Sequence, residues 1–372
     1  MVLNEEQRLL HSTIRDFLSQ RAPVAALREL RDNGNPQGFD SDLWNELIEL
    51  GVSSIVLSEE QGGLGFGWMG LGAVMEEIGR HLTATPMLSS IVIGAALVEA
   101  AADHHSNDLL PDVVAGTRNL AFACDEGLRY NPGATAAALD NGLLQGEKTF
   151  VINGPGATDF LVLARTVADS KGTDGLTLIV VPRDTAGVTV NPIHSADGHS
   201  FARVNFNQVA VDQQQIVGVP DRAWDFVSPV LDRATLALAA EMLGGARELL
   251  ERTLAYLNDR EQFDVKIGSF QALQHRCAQL FCQLELAQSV VYKGLSAIDQ
   301  GQQDLAKLAS HAKVLAIDCY QKMSNEAVQM HGGMGITDEV DIGLFLKRSR
   351  VCNQILGDSS FHRERFATLC GY

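Results

Sequence analysis

The hydrophobic period changes twice along this chain, and each change marks where one kind of secondary-structure layer gives way to another. Between about residues 4 and 115, apolar residues recur at helical spacing: Leu9, Leu10, Ile14, Phe17 and Leu18 form one set, and residues 42–50 form another. Residues 73–79 and 91–102 continue the pattern with alanine-rich faces. From Asn119 to Val217 the pattern becomes short apolar runs divided by Gly, Asn and Asp, at 120–123, 160–164, 176–182 and 203–206. Short strands at regular spacing with turns between them predict a small β-barrel or sandwich. From Trp224 the helical period returns over four long segments, roughly 221–258, 268–299, 303–331 and 338–369, which predicts a bundle. The expected fold class is α+β, mainly α. It comprises an N-terminal helical domain over residues 1–117, a central small β-barrel domain over 118–218 and a C-terminal four-helix bundle over 219–372.

Composition narrows the function classes. Among 372 residues, 46% are apolar and 20% charged, the balance of a soluble globular enzyme. A net charge of −17 argues against nucleic acid, whose affinity rests on clustered Lys and Arg, and against an anionic membrane surface. An anionic ligand would need a local basic patch against that field, to which Lys347-Arg348-Ser349-Arg350 and Arg363-Glu364-Arg365 could contribute. The six cysteines have no metal-ligand spacing, and the ten histidines form no His-x-x-x-His cluster. His104-His105 sits in a polar stretch that reads as a loop, so no metal site is expected. The start, Met1-Val2-Leu3-Asn4-Glu5, has no basic segment before an apolar core, and no run of eighteen apolar residues occurs. The expectation is a protein without secretory signal or membrane span, in a reducing cytoplasm.

Two segments carry the chemistry. Gln329-Met330-His331-Gly332-Gly333-Met334-Gly335-Ile336 offers backbone N–H groups free of side-chain obstruction, which a phosphate can approach closely. About seventy residues earlier, Arg260-Glu261-Gln262-Phe263 offers a fixed cation and an aromatic, read here as lying on one helix and suited to a planar phosphorylated ligand. Taken alone, a Gly-Gly-x-Gly is also a common helix-to-helix turn.

In this order and spacing the two segments resemble the acyl-CoA dehydrogenase family, and the resemblance covers nearly the whole chain. Leu50-Gly51-Val52 and Ser58-Glu59-Glu60-Gln61-Gly62-Gly63-Leu64-Gly65 resemble the family's N-terminal turn. Gly146-Glu147-Lys148-Thr149-Phe150-Val151-Ile152-Asn153-Gly154 and Ile267-Gly268-Ser269-Phe270-Gln271 match later segments. The resemblance implies FAD as cofactor, an acyl-CoA substrate, an electron-transfer flavoprotein or similar acceptor, and a tetramer. Arg260, Phe263, Gln271, Gln329, Gly332 and Gly333 would bind the FAD of a neighbouring subunit. Phe150 and Ile152 would lie against the chain's own flavin. The implied reaction is α,β-dehydrogenation: a carboxylate takes the proton beside the thioester carbonyl while flavin N5 accepts a hydride from the next carbon.

The base is where the resemblance weakens. Most members carry it as a glutamate near the C-terminus; the matching stretch here is Ile355-Leu356-Gly357-Asp358-Ser359, with Gly357 at the glutamate's place. Asp358 is one residue off, and its competing role is to cap the last helix. Other members place the base on a bundle helix just before an arginine, and here that pair is Asp232-Arg233. Asp232 is the better candidate base, although its carboxylate is drawn back by one methylene and a misplacement of about 1 Å can cost on the order of a hundredfold in rate. An ion pair with Arg233 or a first-turn helix charge would equally explain it.

The contacts to the chain's own flavin are eroded as well. Cys124-Asp125-Glu126-Gly127 keeps little of the family's threonine-glutamate-proline-glycine start, and Ile152 lacks the hydroxyl that faces flavin N5. Contacts offered to a neighbour are kept, except that Asp264 replaces the usual glycine after Phe263. Two readings stay open: a self-sufficient dehydrogenase, or a weak or inactive subunit that completes the FAD site of a homologous partner in a heterotetramer. Ile336-Thr337-Asp338-Glu339 and the Gly357-Asp358 to His362-Arg363 stretch resemble the branch that includes small subunits of two-gene enzymes acting on dicarboxylic or steroid side-chain substrates. Flavin-dependent oxygenases and DNA-alkylation-response proteins share the scaffold, but the acidic charge weighs against DNA. Small residues at Ala237, Ala239, Ala240, Gly244, Gly245 and Ala246 suit either a bulky substrate or close helix packing.

Overall fold

The first helix begins where the sequence supplies a cap. In the computed structural model, which describes residues 3–55, 57, 63–302 and 304–372, α1 (Glu5–Arg21) opens with a reciprocal capping box. Gln7 N donates to Asn4 Oδ1 at 2.7 Å and Asn4 N to Gln7 Oε1 at 3.1 Å. The helix α2 (Val24–Asp32) follows, and Asp40 caps α3 (Ser41–Glu49), which buries Leu43, Trp44 and Leu47. Most of the N-terminal turn motif, Ser58-Glu59-Glu60-Gln61-Gly62, lies outside the described residues. The next helix, α4 (Gly67–His81), is capped from far along the chain: the Asp299 carboxylate accepts from Trp68 N at 2.6 Å and Met69 N at 3.1 Å. A fully buried π-helix, Met87–Ala95, runs into α5 (Ala96–Ala101), followed by the short α6 (His105–Asp108) and α7 (Leu110–Val114).

The central sheet comprises β1 (Leu120–Ala123), β2 (Ala138–Asp140), β3 (Leu143–Ile152), β4 (Asp159–Arg165), β5 (Leu176–Pro182), β6 (Val188–His194), β7 (Ser200–Ala210) and β8 (Ile216–Val217). Its order is β6-β7-β3-β2-β4-β5-β8, with β1 parallel to β4. The expected barrel is not closed. One edge, β6, carries Pro192, which has no N–H to offer a further strand, and the other edge, β8, is two residues long. β4 and β5 read as unbroken apolar runs because they are buried along nearly their whole length, and Phe160, Val162, Ile179 and Val181 join Val204 and Phe206 in the core.

The long α8 (Trp224–Asp259) leads to a hairpin of β9 (Glu261–Gln262) and β10 (Val265–Lys266), then α9 (Gln271–Asp299) and α10 (Leu305–His331). The expected fourth segment is two helices, α11 (Ile342–Gln354) and α12 (Ser359–Leu369). They part at Leu356 and Gly357, whose φ values of +57° and +101° no helix accommodates. The architecture is thus an N-terminal helical, a central sheet and a C-terminal helical domain. By contacts, the chain forms two compact units: one of Met1–Leu27, Trp68–Thr83 and Thr235–Tyr372, the other of Arg28–Gly67 and Ala84–Ala234. Among the described residues no helix is long and apolar enough to cross a membrane.

Within the first unit α4 and α8 cross backbone to backbone. A Cβ on Gly79 would overlap the Glu241 carbonyl oxygen, and one on Gly244 would overlap that of Glu76. Gly245 faces the Tyr320 ring in the same way. Helix packing therefore accounts for these glycines, rather than space left for a substrate.

Candidate functional site

The first unit gathers the residues expected to serve a neighbour's flavin at one end. Arg260 follows the last residue of α8, and Phe263 is not on a helix with it: Phe263 and Asp264 form the two-residue loop of the β9–β10 hairpin. Both are left-handed, with φ +56° and +62°, as a primed hairpin turn requires. Asp tolerates that conformation, so the replaced glycine costs little here. The Phe263 ring is 86% exposed, braced edge-on by Phe270 at 6.2 Å, and Ile267 N closes the hairpin on Arg260 O at 2.9 Å. Gln271 is the first residue of α9.

α10 ends beside this hairpin. Tyr256, one turn before Arg260, stacks on His331 with ring centroids 4.3 Å apart. His331 Nδ1 donates to Ala327 O at 2.8 Å, and burial holds its pKa below the usual value. Gly332 then leaves the helix at φ +59°, ψ −136°, a conformation essentially reserved for glycine. A Cβ on Gly332 or Gly333 would meet nothing within 4 Å, so the turn presents bare backbone outward. Arg260, Phe263, Gln271, Gln329, Gly332 and Gly333 are all exposed. The Tyr256–His331 stack that ties the two segments together escaped the sequence reading; an aromatic one turn before Arg260 was its only signal.

In the second unit Phe150 sits on a bulge of β3. Lys148 pairs with Val204 and Val151 with Ala202, so Thr149 and Phe150 oppose a single residue of β7. Phe150 adopts φ +51°, which costs about 1–2 kcal/mol in a non-glycine residue, and its ring is 48% exposed. Ile152 ends β3 half-buried, without a hydroxyl. The adjoining Cys124–Gly127 loop (124–127) spends its groups internally. The Glu126 carboxylate accepts from Ala136 N at 2.6 Å, Ala137 N at 3.0 Å and the fully buried Lys148 Nζ at 2.6 Å, while Thr149 N donates to Asp125 O at 2.6 Å. Burial pushes the Asp125 carboxyl up to about 6 against the pull of Lys148, and among the described residues its Oδ1 has no hydrogen-bond partner.

The base candidates sit in different settings. Asp358 is a cap: its Oδ1 accepts from Phe361 N at 2.8 Å at the start of α12. A glutamate in place of Gly357 would be strained, because its Cβ would stand 2.5 Å from Phe361 Cδ1 in a backbone conformation that L-residues rarely adopt. The surrounding loop is held by buried bases that the sequence reading missed. Lys313 Nζ donates to Cys352 O at 2.7 Å and Ile355 O at 2.8 Å, and His362 Nε2 donates to Leu356 O at 2.9 Å. Burial lowers Lys313 to about 7 and His362 to about 3. The signal was a lysine at a core position of the α10 period, between Ala309, Ala312 and Ala316.

Asp232 lies in the third turn of α8, not the first, and is only 6% exposed. Arg233 is half-buried, and among the described residues its Nε has no hydrogen-bond partner. The Glu99 carboxyl is raised by burial, with Arg233 pulling it back. The expected basic patch is partly consumed: Arg348 is buried and pairs with Glu241 at 2.6 Å.

Three family models match this chain: acyl-CoA dehydrogenase N-terminal domain over residues 4–117, middle domain over 127–209 and C-terminal domain over 222–368. Acyl-CoA dehydrogenase IpdE2 of Mycolicibacterium smegmatis is 29% identical over 356 residues, covering 95% of this chain and 96% of its own. The solved structure of the Tcur3481-Tcur3483 steroid ACAD, in a variant form, is similar with a TM-score of 0.88 and 28% identity, over 99% of this chain and 98% of its own. The ChsE4-ChsE5 complex from Mycobacterium tuberculosis is similar with a TM-score of 0.87 and 26% identity, over 100% of this chain and 99% of its own.

Proposed function

As this chain belongs to the acyl-CoA dehydrogenase family, we propose that it works as a subunit of a flavoprotein that α,β-dehydrogenates an acyl-CoA thioester, with Asp232 as the base. The cofactor is FAD. The exposed end of the first unit fits it: open backbone at Gly332 and Gly333 suits a phosphate, and the rigid hairpin holds Phe263 out as a planar surface. Those residues would serve the FAD of a neighbouring subunit, so the active form is an oligomer, a homotetramer or a heterotetramer with a homologue. Phe150 would cover the chain's own flavin.

Bound FAD supplies the two-electron acceptor, which an electron-transfer flavoprotein or similar acceptor reoxidises. The protein supplies the rest. Asp232 removes the proton beside the thioester carbonyl from a nearly buried helix position, where little water competes for it. Arg233, the adjoining cation, offsets the negative charge around that carboxylate. The observation that carries this reading is the burial of Asp232 on α8, while Asp358 serves as the cap of α12 and Gly357 carries no side chain. Similarity to a steroid ACAD supports a steroid side-chain acyl-CoA as substrate. The domain division at residues 117 and 218 is part of the same reading.

A second reading is favoured by the internal wiring of residues 124–127. With Glu126 bound to Ala136, Ala137 and Lys148, and Ile152 lacking a hydroxyl, this chain would complete a partner's FAD site and do no chemistry itself. The similarity to the ChsE4-ChsE5 complex supports a heteromeric assembly.

The test is to purify the chain alone, measure its flavin-to-protein ratio, and follow bleaching of the flavin band on adding an acyl-CoA without oxygen. Near one flavin per chain, with bleaching that Asp232→Asn abolishes while flavin stays bound, supports the first reading. Folded protein without flavin, regaining it only with a homologous partner, overturns that reading in favour of the second.

A further inference from the structure

We propose that Asp103, His104 and His105 form a binding site for a zinc-class divalent ion, one that ties the end of α5 to the segment entering and leaving β8. One ligand atom from each residue lies within 4.8 Å of those of the other two. All three side chains, and the segment they pack on, belong to the second compact unit.

The hydrogen bonds fix which atoms are available. His104 Nε2 lies 3.2 Å from Gln214 O, and His105 Nε2 lies 3.1 Å from Ile216 O. A carbonyl oxygen only accepts, so each Nε2 carries the proton and each Nδ1 keeps its lone pair. Among the described residues neither Nδ1 has a hydrogen-bond partner. An imidazole whose far nitrogen donates to a backbone carbonyl is the outer-shell arrangement that orients metal-ligating histidines. The two rings are neighbours, with centroids 4.0 Å apart and planes 37° from each other.

The carboxylate is held in the same way. Asp103 Oδ1 accepts from His105 N at 2.9 Å, and Oδ2 accepts from Gly218 N. Each oxygen retains a second acceptor site, so fixing the group does not exhaust it. Exposure is graded: His105 is 5% exposed, Asp103 half-buried and His104 exposed. The cluster thus has an anchored wall and an accessible side, leaving a fourth position for water. Two imidazoles and one carboxylate suit zinc, cobalt, nickel or copper ions better than magnesium or calcium. Metal–nitrogen bonds of about 2 Å need donors about 3.4 Å apart, a closing movement that the exposed His104 can supply.

Adjacent histidines match no ligand spacing along a helix, which is why no metal site was expected from the sequence. The segment 214–218 folding against them supplies what was missing, two carbonyls and one N–H that set the tautomers and the carboxylate.

The test is calorimetric titration of the untagged, chelator-treated full chain with zinc chloride, beside His104→Ala. One saturable site per chain, weakened at least about tenfold in His104→Ala, with a melting temperature that rises on zinc addition only in the unsubstituted chain, is the expected result. The exposed His104 can be removed without opening the core, so unchanged melting of the metal-free variant checks that it folds. Absence of saturable binding, or binding unaffected by His104→Ala, overturns the proposal and leaves the histidines as pins for the 214–218 segment.

Discussion

Gly357 lies so close to Phe361 that a Cβ on it would stand 2.5 Å from the phenyl Cδ1, at a backbone φ of +101°. Installing a glutamate there should therefore fail to create a base. Gly357→Glu is expected to lose about 1–3 kcal/mol of stability from strain and overlap, with no gain in acyl-CoA dehydrogenation. Chemical denaturation and a dehydrogenase assay of the same preparation check both parts.

The capping role of Asp358 makes a separable prediction. Asp358→Ala leaves Phe361 N without its acceptor, so stability should fall by about 1 kcal/mol while dehydrogenase activity stays near that of the parent chain. A large loss of activity in folded protein would return Asp358 to the list of bases.

Lys313 gives a pH dependence of definite sign. Its folded-state pKa is lowered to about 7 by burial, whereas the unfolded chain holds the proton to about 10.4. Above about pH 7 the unfolded state binds more protons at this site, so its contribution to stability rises with pH, by at most about 1.4 kcal/mol per unit. The neutral amine still has two N–H groups for the carbonyls of Cys352 and Ile355. The stability of the parent chain relative to Lys313→Met should increase from about pH 7 to about pH 8.5. At higher pH the buried thiols of Cys124 and Cys319, both raised by burial, act in the opposite direction in both chains, so the difference between the chains isolates Lys313.

Gly244→Ala tests the crossing of α4 and α8. The added methyl meets the Glu76 carbonyl, so the variant should be less stable by about 1–3 kcal/mol despite alanine's better helix propensity. A variant as stable as the parent would show that the two helices can move apart.

Phe263→Ala addresses the hairpin. The ring is almost wholly exposed, so its removal should change the stability of the isolated chain by no more than about 0.5 kcal/mol. Flavin retention by the oligomer should fall, as read from the flavin-to-protein ratio after gel filtration.

Much of this was legible because period and burial agree. The apolar runs at 160–164 and 176–182 became β4 and β5, and the Asp358 cap was readable because Asp before a helical period has one dominant use. Left-handed positions were not legible. Phe150, Phe263 and Leu356 are bulky residues that a sequence places in a strand or helix by default, and only tertiary bonds hold them otherwise. The same reason hid the break between α11 and α12. Sheet closure failed as an expectation because strand count does not determine which strands end as edges, although Pro192 pointed to one of them.

The cap that Asp299 provides for α4 spans 231 residues, and this orders events during synthesis. The second compact unit ends at Ala234, so all of its residues are synthesised before Thr235–Tyr372. The first unit joins Met1–Leu27 and Trp68–Thr83 to Thr235–Tyr372, so α1 and α4 are complete well before the later helices of their own unit are synthesised. A slowed ribosome in α8 or α9 would lengthen the interval before α1 and α4 meet those helices.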